Sequence, residues 1–152
     1  MAPSENCLSI IRKYELCRLK AYWDAKGKVW TCGWGATGPD VQEGTVWTQE
    51  EADARMLVDA NRSCAEMEAL VTVPLTQGQI DALTDFTYNE GSGKLQHSTL
   101  LRVLNVGMYA SVPRELWRRD ADGINHGWIY AGGEINPTLI RRRKDEIALW
   151  NS

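Results

Sequence analysis

Glu15 and Asp24 are separated by eight residues, and Thr31 follows Asp24 after six more, leading into Gly33-Trp34-Gly35. Two carboxyls and a hydroxyl in one short stretch are equipped for acid–base chemistry. Glycoside hydrolysis needs two carboxyl groups in different environments: one protonates the leaving oxygen, while the other activates water or attacks the sugar. Thr31 adds a hydroxyl able to hold that water. The same residues also suit a purely structural role. Asp24 then serves the turn Asp24-Ala25-Lys26-Gly27, and Thr31 is an ordinary strand residue.

The elements around them decide whether they can meet. Nine residues along an α-helix is about two and a half turns, so Glu15 and Asp24 would face opposite ways on a continuous helix. They converge only if the helix ends near Glu15 and the chain turns back. Cys7, Leu8, Ile11 and Tyr14 recur at three- and four-residue steps behind a Ser4 N-cap, which predicts an amphipathic helix over residues 4–14. From Leu19 to Trp47 aromatic and β-prone residues alternate with Gly27, Gly33, Gly35, Gly38 and Gly44, the pattern of a sheet of two or three strands. Glu15 then falls at a helix C-terminus, where an anion is disfavoured. With an apolar surround from Leu16 or Trp30, that placement raises a carboxyl's pKa toward the range a general acid requires.

The rest of the chain reads as helical. Thr48 to Glu51 and Thr76 to Gln79 form two capping boxes. The first opens a helix to about Leu70 with Ala52, Met56, Ala60, Cys64 and Met67 on one stripe; the second opens one carrying Ile80, Leu83, Phe86 and Tyr88. A short helix in "STLLRVLNVG" closes at Gly107, and another runs from about Tyr109 to Arg119 with Pro113 in its first turn. Residues 121–135 are glycine-rich and aromatic, a loop or hairpin, and Asn136-Pro137 begins a terminal helix. Arg141-Arg142-Arg143-Lys144 point in different directions on that helix and read as a solvated surface.

Bulk properties narrow the function classes. A chain of 152 residues buries roughly 70% of its unfolded surface and reads as one domain, residues 1–152. The net charge of −3 argues against a nucleic-acid binder. Cys7, Cys17, Cys32 and Cys64 are spread out with no C-x-x-C pair, and only His97 and His126 could join them. No metal site or other cofactor is expected, and the thiols read as free and buried. Residues 1–17 hold no apolar run of signal-peptide or membrane-span length, so the expectation is a protein held in the cytoplasm. Seven tryptophans against one phenylalanine supply flat faces suited to sugar rings or to core packing.

The order helix, Glu15, "RLKAY", Asp24, glycine turn, Thr31 and Gly-Trp-Gly resembles the phage-type lysozymes of glycoside hydrolase family 24. Residues 75–105, "LTQGQIDALTDFTYNEGSGKLQHSTLLRVLN", and the closing section from Trp117 to Trp150 are similar to that family's interior and final blocks. The resemblance covers nearly the whole chain. It departs at Leu16, where the family usually has Gly, at Ala36 for His, at Thr138 for Gly, and in six rather than five residues between Asp24 and Thr31. Strict counting would put Trp30 in the threonine's place.

The resemblance implies an α+β, lysozyme-like fold: a small antiparallel sheet lobe over about 16–47, and a larger helical lobe over 48–152 joined by the helix at 4–14. It implies cleavage of the β-1,4 bond between N-acetylmuramic acid and N-acetylglucosamine in bacterial peptidoglycan. Glu15 would be the general acid, with Asp24 and Thr31 positioning water. Trp34, Asn89, Gln96, Ser98, Thr99 and Arg141 would bind substrate, although Asn89 ending a helix and Ser98 capping the next is an equal alternative. Tyr22 either braces Glu15 or packs. The implied setting is a monomeric endolysin without stable membrane association. It would wait in the host cytoplasm until a holin opens the membrane, then act on the periplasmic wall. A peptidoglycan-binding module without turnover, and a lytic transglycosylase using Glu15 alone, are the competing functions.

Overall fold

The computed structural model describes residues 1–117 and 128–152. Helix α1 (Glu5–Tyr14) begins where the Ser4 hydroxyl accepts from the Asn6 N–H. Cys7, Leu8, Ile10 and Ile11 form its buried face. The helix stops at Glu15, whose backbone is extended while its N–H still donates to the Ile11 carbonyl at 2.8 Å. Strands β1 (Arg18–Asp24) and β2 (Val29–Gly33) then form an antiparallel hairpin. A third segment joins it through a bridge between Lys20 and Val46. Ala21, Cys32 and Val41, with Trp30 and Trp47 against them, form the small core of this lobe.

Both capping boxes exist as the sequence predicts. Thr48 opens α2 (Gln49–Leu70) and Thr76 opens α3 (Gln77–Glu90), each with reciprocal hydrogen bonds to the third helical residue. The stripe from Ala52 to Met67 is buried along α2. Helix α3 is buried on every side from Ile80 to Thr87, which makes it the axis of the helical body. Helices α4 (Ser92–Gln96), α5 (Thr99–Asn105) and α6 (Val112–Trp117) follow. Leu83, Phe86, Leu95, Leu100, Leu104 and Leu116 meet in the main core.

Pro113 lies in the first turn of α6, after a short 3-10 turn at Tyr109–Ser111. The remainder of the helix expected to Arg119, and residues 121–127 with His126, lie outside the described residues. Strands β3 (Tyr130–Ala131) and β4 (Glu134–Ile135) pair across Gly132-Gly133, whose positive φ angles suit a two-residue hairpin turn. Asn136 caps the N–H groups of Thr138 and Leu139, and Pro137 starts α7 (Pro137–Trp150). No helix among the described residues is long and apolar enough to cross a membrane.

The basic run on α7 differs from its expectation as a solvated surface. Arg142 is 3% exposed and Arg143 fully buried, while Arg141 and Lys144 stay outside. Consecutive helical residues point about 100° apart, and α7 packs along α3, so the middle two arginines turn inward. A buried guanidinium persists only beside carboxylates. Asp85 and Glu146, both fully buried, supply them.

Candidate active site

The end of α1 delivers Glu15 to the junction of the two lobes. Its side chain is 24% exposed, and Oε1 accepts from Arg142 Nη1 at 2.7 Å. Oε2 faces Gly35, where an added Cβ would stand 3.0 Å away on a backbone with φ +84°. Glycine is thus required there twice, by the left-handed backbone and by the carboxylate against it. The apolar surround expected from Leu16 is not what the structure supplies. Leu16 is 77% exposed. Past the helix cap the chain is extended, so successive side chains diverge, and Leu16 turns outward as Glu15 turns in.

Arg142 has two further bonds, Nε to Asp85 Oδ2 at 2.9 Å and Nη2 to Asp85 Oδ1 at 2.8 Å. Burial opposes its charge, but the two flanking carboxylates outweigh burial and hold the guanidinium protonated more firmly than usual. Tyr14 lies beneath it, with the ring centroid 5.6 Å away. Tyr88, on α3, donates to the Trp34 carbonyl at 2.7 Å and ties the Gly-Trp-Gly turn to the helical body. Burial, then the charge of Glu15, pushes the Tyr88 phenol well up, so it remains a donor.

The hairpin register puts Thr31 and Trp30 on opposite faces. Asp24 pairs with Val29, Trp23 with Trp30 and Tyr22 with Thr31. Alternate residues share a face, so Asp24 and Thr31 are diagonal neighbours on one side. Trp30 lies on the other, edge-on to Trp23 at 5.7 Å between centroids. The four-residue loop 25–28 joins the two strands, and within it Lys28 adopts φ +52°.

Asp24 Oδ1 accepts the Lys26 N–H at 3.0 Å, and its Oδ2 lies where a Cβ on Gly27 would be 2.8 Å away. Thr31 is 5% exposed, and its Oγ1 has no hydrogen-bond partner among the described residues. An unpaired buried hydroxyl costs about 1–3 kcal/mol.

The family model described as "Phage lysozyme" matches residues 12–146. The chain belongs to the phage lysozyme family. It is 38% identical over 154 residues to an endolysin of Acyrthosiphon pisum secondary endosymbiont phage 1, covering 100% of this chain and 99% of that one. An endolysin of Bacillus phage B103 is 32% identical over 99% of this chain, which spans only 54% of that longer protein. Among solved structures, the muramidase domain of SpmX from Asticaccaulis excentricus superposes with a TM-score of 0.82 at 29% identity, covering 98% of this chain and 97% of that one.

Against this lysozyme frame the remaining site residues separate by what they touch. Trp34 packs on the cluster of Cys7, Leu8, Ile11, Met56 and Ala60. Its indole N–H donates to Asp53 at 2.7 Å; that bond, with one from Gln49, holds the Asp53 carboxyl below its usual range. These contacts brace the turn against α2. Ser98 caps α5, accepting from Leu101 and donating to the Leu95 carbonyl, so its hydroxyl is committed locally. Asn89 Oδ1 accepts from Arg143 at 2.7 Å, and its side chain is half-buried at the end of α3. Gln96 is exposed at the end of α4, while Thr99 and Arg141 make long bonds of 3.3 Å to Arg102 and Thr138.

Tyr22 lies under the Arg18 guanidinium, 4.4 Å from its ring centroid, rather than against Glu15. Cys32 is buried as expected, but Cys17 is half-buried and meets Gln49. Ala36, in the position where the family commonly has His, borders a polar cavity of about 130 Å³ with Asp59, Ser63 and Tyr88. Arg142 and Asp85 are the residues that sequence reasoning missed. One signal was available: α3 contains Asp81 and Asp85 but no Lys or Arg, so buried acids there needed cations from elsewhere.

Proposed function

We propose that this lysozyme is an endolysin muramidase acting as one catalytic domain over residues 1–152. It hydrolyses the β-1,4 bond between N-acetylmuramic acid and N-acetylglucosamine in peptidoglycan. The observation that carries the reading is Glu15 at the end of α1, held by Arg142 and fronted by Gly35, with Asp24 and Thr31 on one face of the hairpin that follows. Glu15 donates its proton to the glycosidic oxygen as the C1–O bond breaks. Thr31 Oγ1 and Asp24 hold a water at the opposite face of the sugar. That water forms the new C1–O bond and loses its proton to Asp24, the inverting arrangement.

Asn89, Gln96, Thr99 and Arg141 are the polar groups proposed to meet the glycan, with Trp34 and Ser98 shaping the walls beside them. The protein acts as a monomer, gaining access to the wall after holin-mediated permeabilisation. Digestion of purified peptidoglycan, followed by analysis of released muropeptides, tests the reaction. Reducing N-acetylmuramic ends are expected. Anhydro ends would instead indicate a transglycosylase, and no release a binding module.

A further inference from the structure

We propose that Asp85 is a positioning residue for this reaction: by clamping one edge of the Arg142 guanidinium, it fixes the donor that orients the Glu15 carboxyl. The proposal rests on Glu15 being the general acid. Asp85 lies on the central helix and is fully buried, and both of its oxygens engage Arg142, at 2.8 and 2.9 Å. A guanidinium is planar and rigid. Once Nε and Nη2 are docked on Asp85, the direction of Nη1 follows without further freedom, and Nη1 is the atom bound to Glu15 Oε1 at 2.7 Å. The end of α1 and the catalytic edge of α7 are thereby referred to one carboxylate in the middle of the core.

The groups around the clamp come from three elements. Tyr14 and Cys7 face Arg142 from α1, Tyr88 and Asp81 lie along α3, and Arg143 and Glu146 approach on α7. Complete burial pushes the Glu146 carboxyl well up, with Arg143 opposing and Asp85 reinforcing the shift. Glu146 pairs with Arg143 at 2.6 Å, which leaves both oxygens of Asp85 to the Arg142 fork. A counterion that only balanced a buried arginine would affect stability alone. A positioning residue must also alter turnover and its pH dependence.

Asp85→Asn retains size and one acceptor oxygen but removes the charge. Arg142 is then neutralised by Glu15 alone, which favours the ionised acid over the protonated one. The expected result in a variant shown folded by circular dichroism is a kcat reduced about tenfold with KM within about twofold. The alkaline limb of the kcat/KM profile moves roughly one pH unit toward acid. A folded Asp85→Asn protein with wild-type kcat and an unmoved limb overturns the proposal.

Asp85→Glu keeps the charge while displacing the clamp, so it is expected to lower kcat with the limb in place. Wild-type kcat in folded Asp85→Glu also overturns the proposal, which covers the case in which Asp85→Asn does not fold. Glu15→Gln is measured in parallel. Activity surviving in Glu15→Gln refutes the acid assignment itself, whereas its loss there with full activity in folded Asp85 variants refutes only the positioning role.

Discussion

Replacing Arg142 with alanine tests how far the fold depends on the junction at Glu15. The wild-type side chain makes three charge-assisted hydrogen bonds, two to Asp85 and one to Glu15, all between 2.7 and 2.9 Å. Removing it leaves the fully buried Asp85 without a cation. Breaking one partner of a buried pair costs about 3–5 kcal/mol, far more than the net worth of the pair, because the remaining charge is stranded. In a domain of this size each kcal/mol lowers Tm by about 2–4 °C, so a fall of roughly 10–15 °C is expected at pH 7.

The loss should depend on pH in one direction. The folded variant avoids the stranded anion by binding a proton on Asp85, which the unfolded chain releases above about pH 4. A folded state that holds the extra proton loses stability as pH rises. The deficit relative to wild type is therefore small near pH 4 and grows toward pH 7. Urea denaturation of both proteins at several pH values measures it. A deficit under about 1 kcal/mol at pH 7, or one that does not change with pH, would show that Asp85 and Arg142 are not a buried pair.

Two glycines give independent checks. Gly27→Ala places a methyl against Asp24 Oδ2, so the carboxylate must leave its turn. Lytic activity should fall about tenfold or more while Tm changes little, read by turbidity clearing and a thermal melt. Gly78 lies under the end of α7, where a Cβ would collide with the Leu149 carbonyl and the Ser152 hydroxyl. Gly78→Ala is expected to cost about 1–3 kcal/mol by urea denaturation with kcat unchanged, because the strain lies far from Glu15.

What the sequence made legible was local. Capping boxes at Thr48 and Thr76, the Asn136-Pro137 start, the helix end at Glu15 and the turn after Asp24 rest on residues within a few positions of one another, and all are present. The environment of Glu15 was not legible in the same way. Its partner Arg142 is 127 residues away, and Asp85 meets Arg142 across 57. No period links such residues before α7 packs on α3. The basic run showed that cations were present but not which would turn inward. Exposure of Leu16 and the inward packing of Trp34 likewise follow from tertiary directions that spacing alone does not encode.

The central claim is that Glu15 supplies the proton to the leaving oxygen, and Glu15→Gln tests it most directly. The amide oxygen still accepts from Arg142, so the fold should survive with a Tm close to wild type. A general acid contributes about 10²–10⁴-fold, so kcat/KM on purified peptidoglycan should drop by at least the lower of these. A folded Glu15→Gln protein releasing muropeptides at a near wild-type rate would contradict the account.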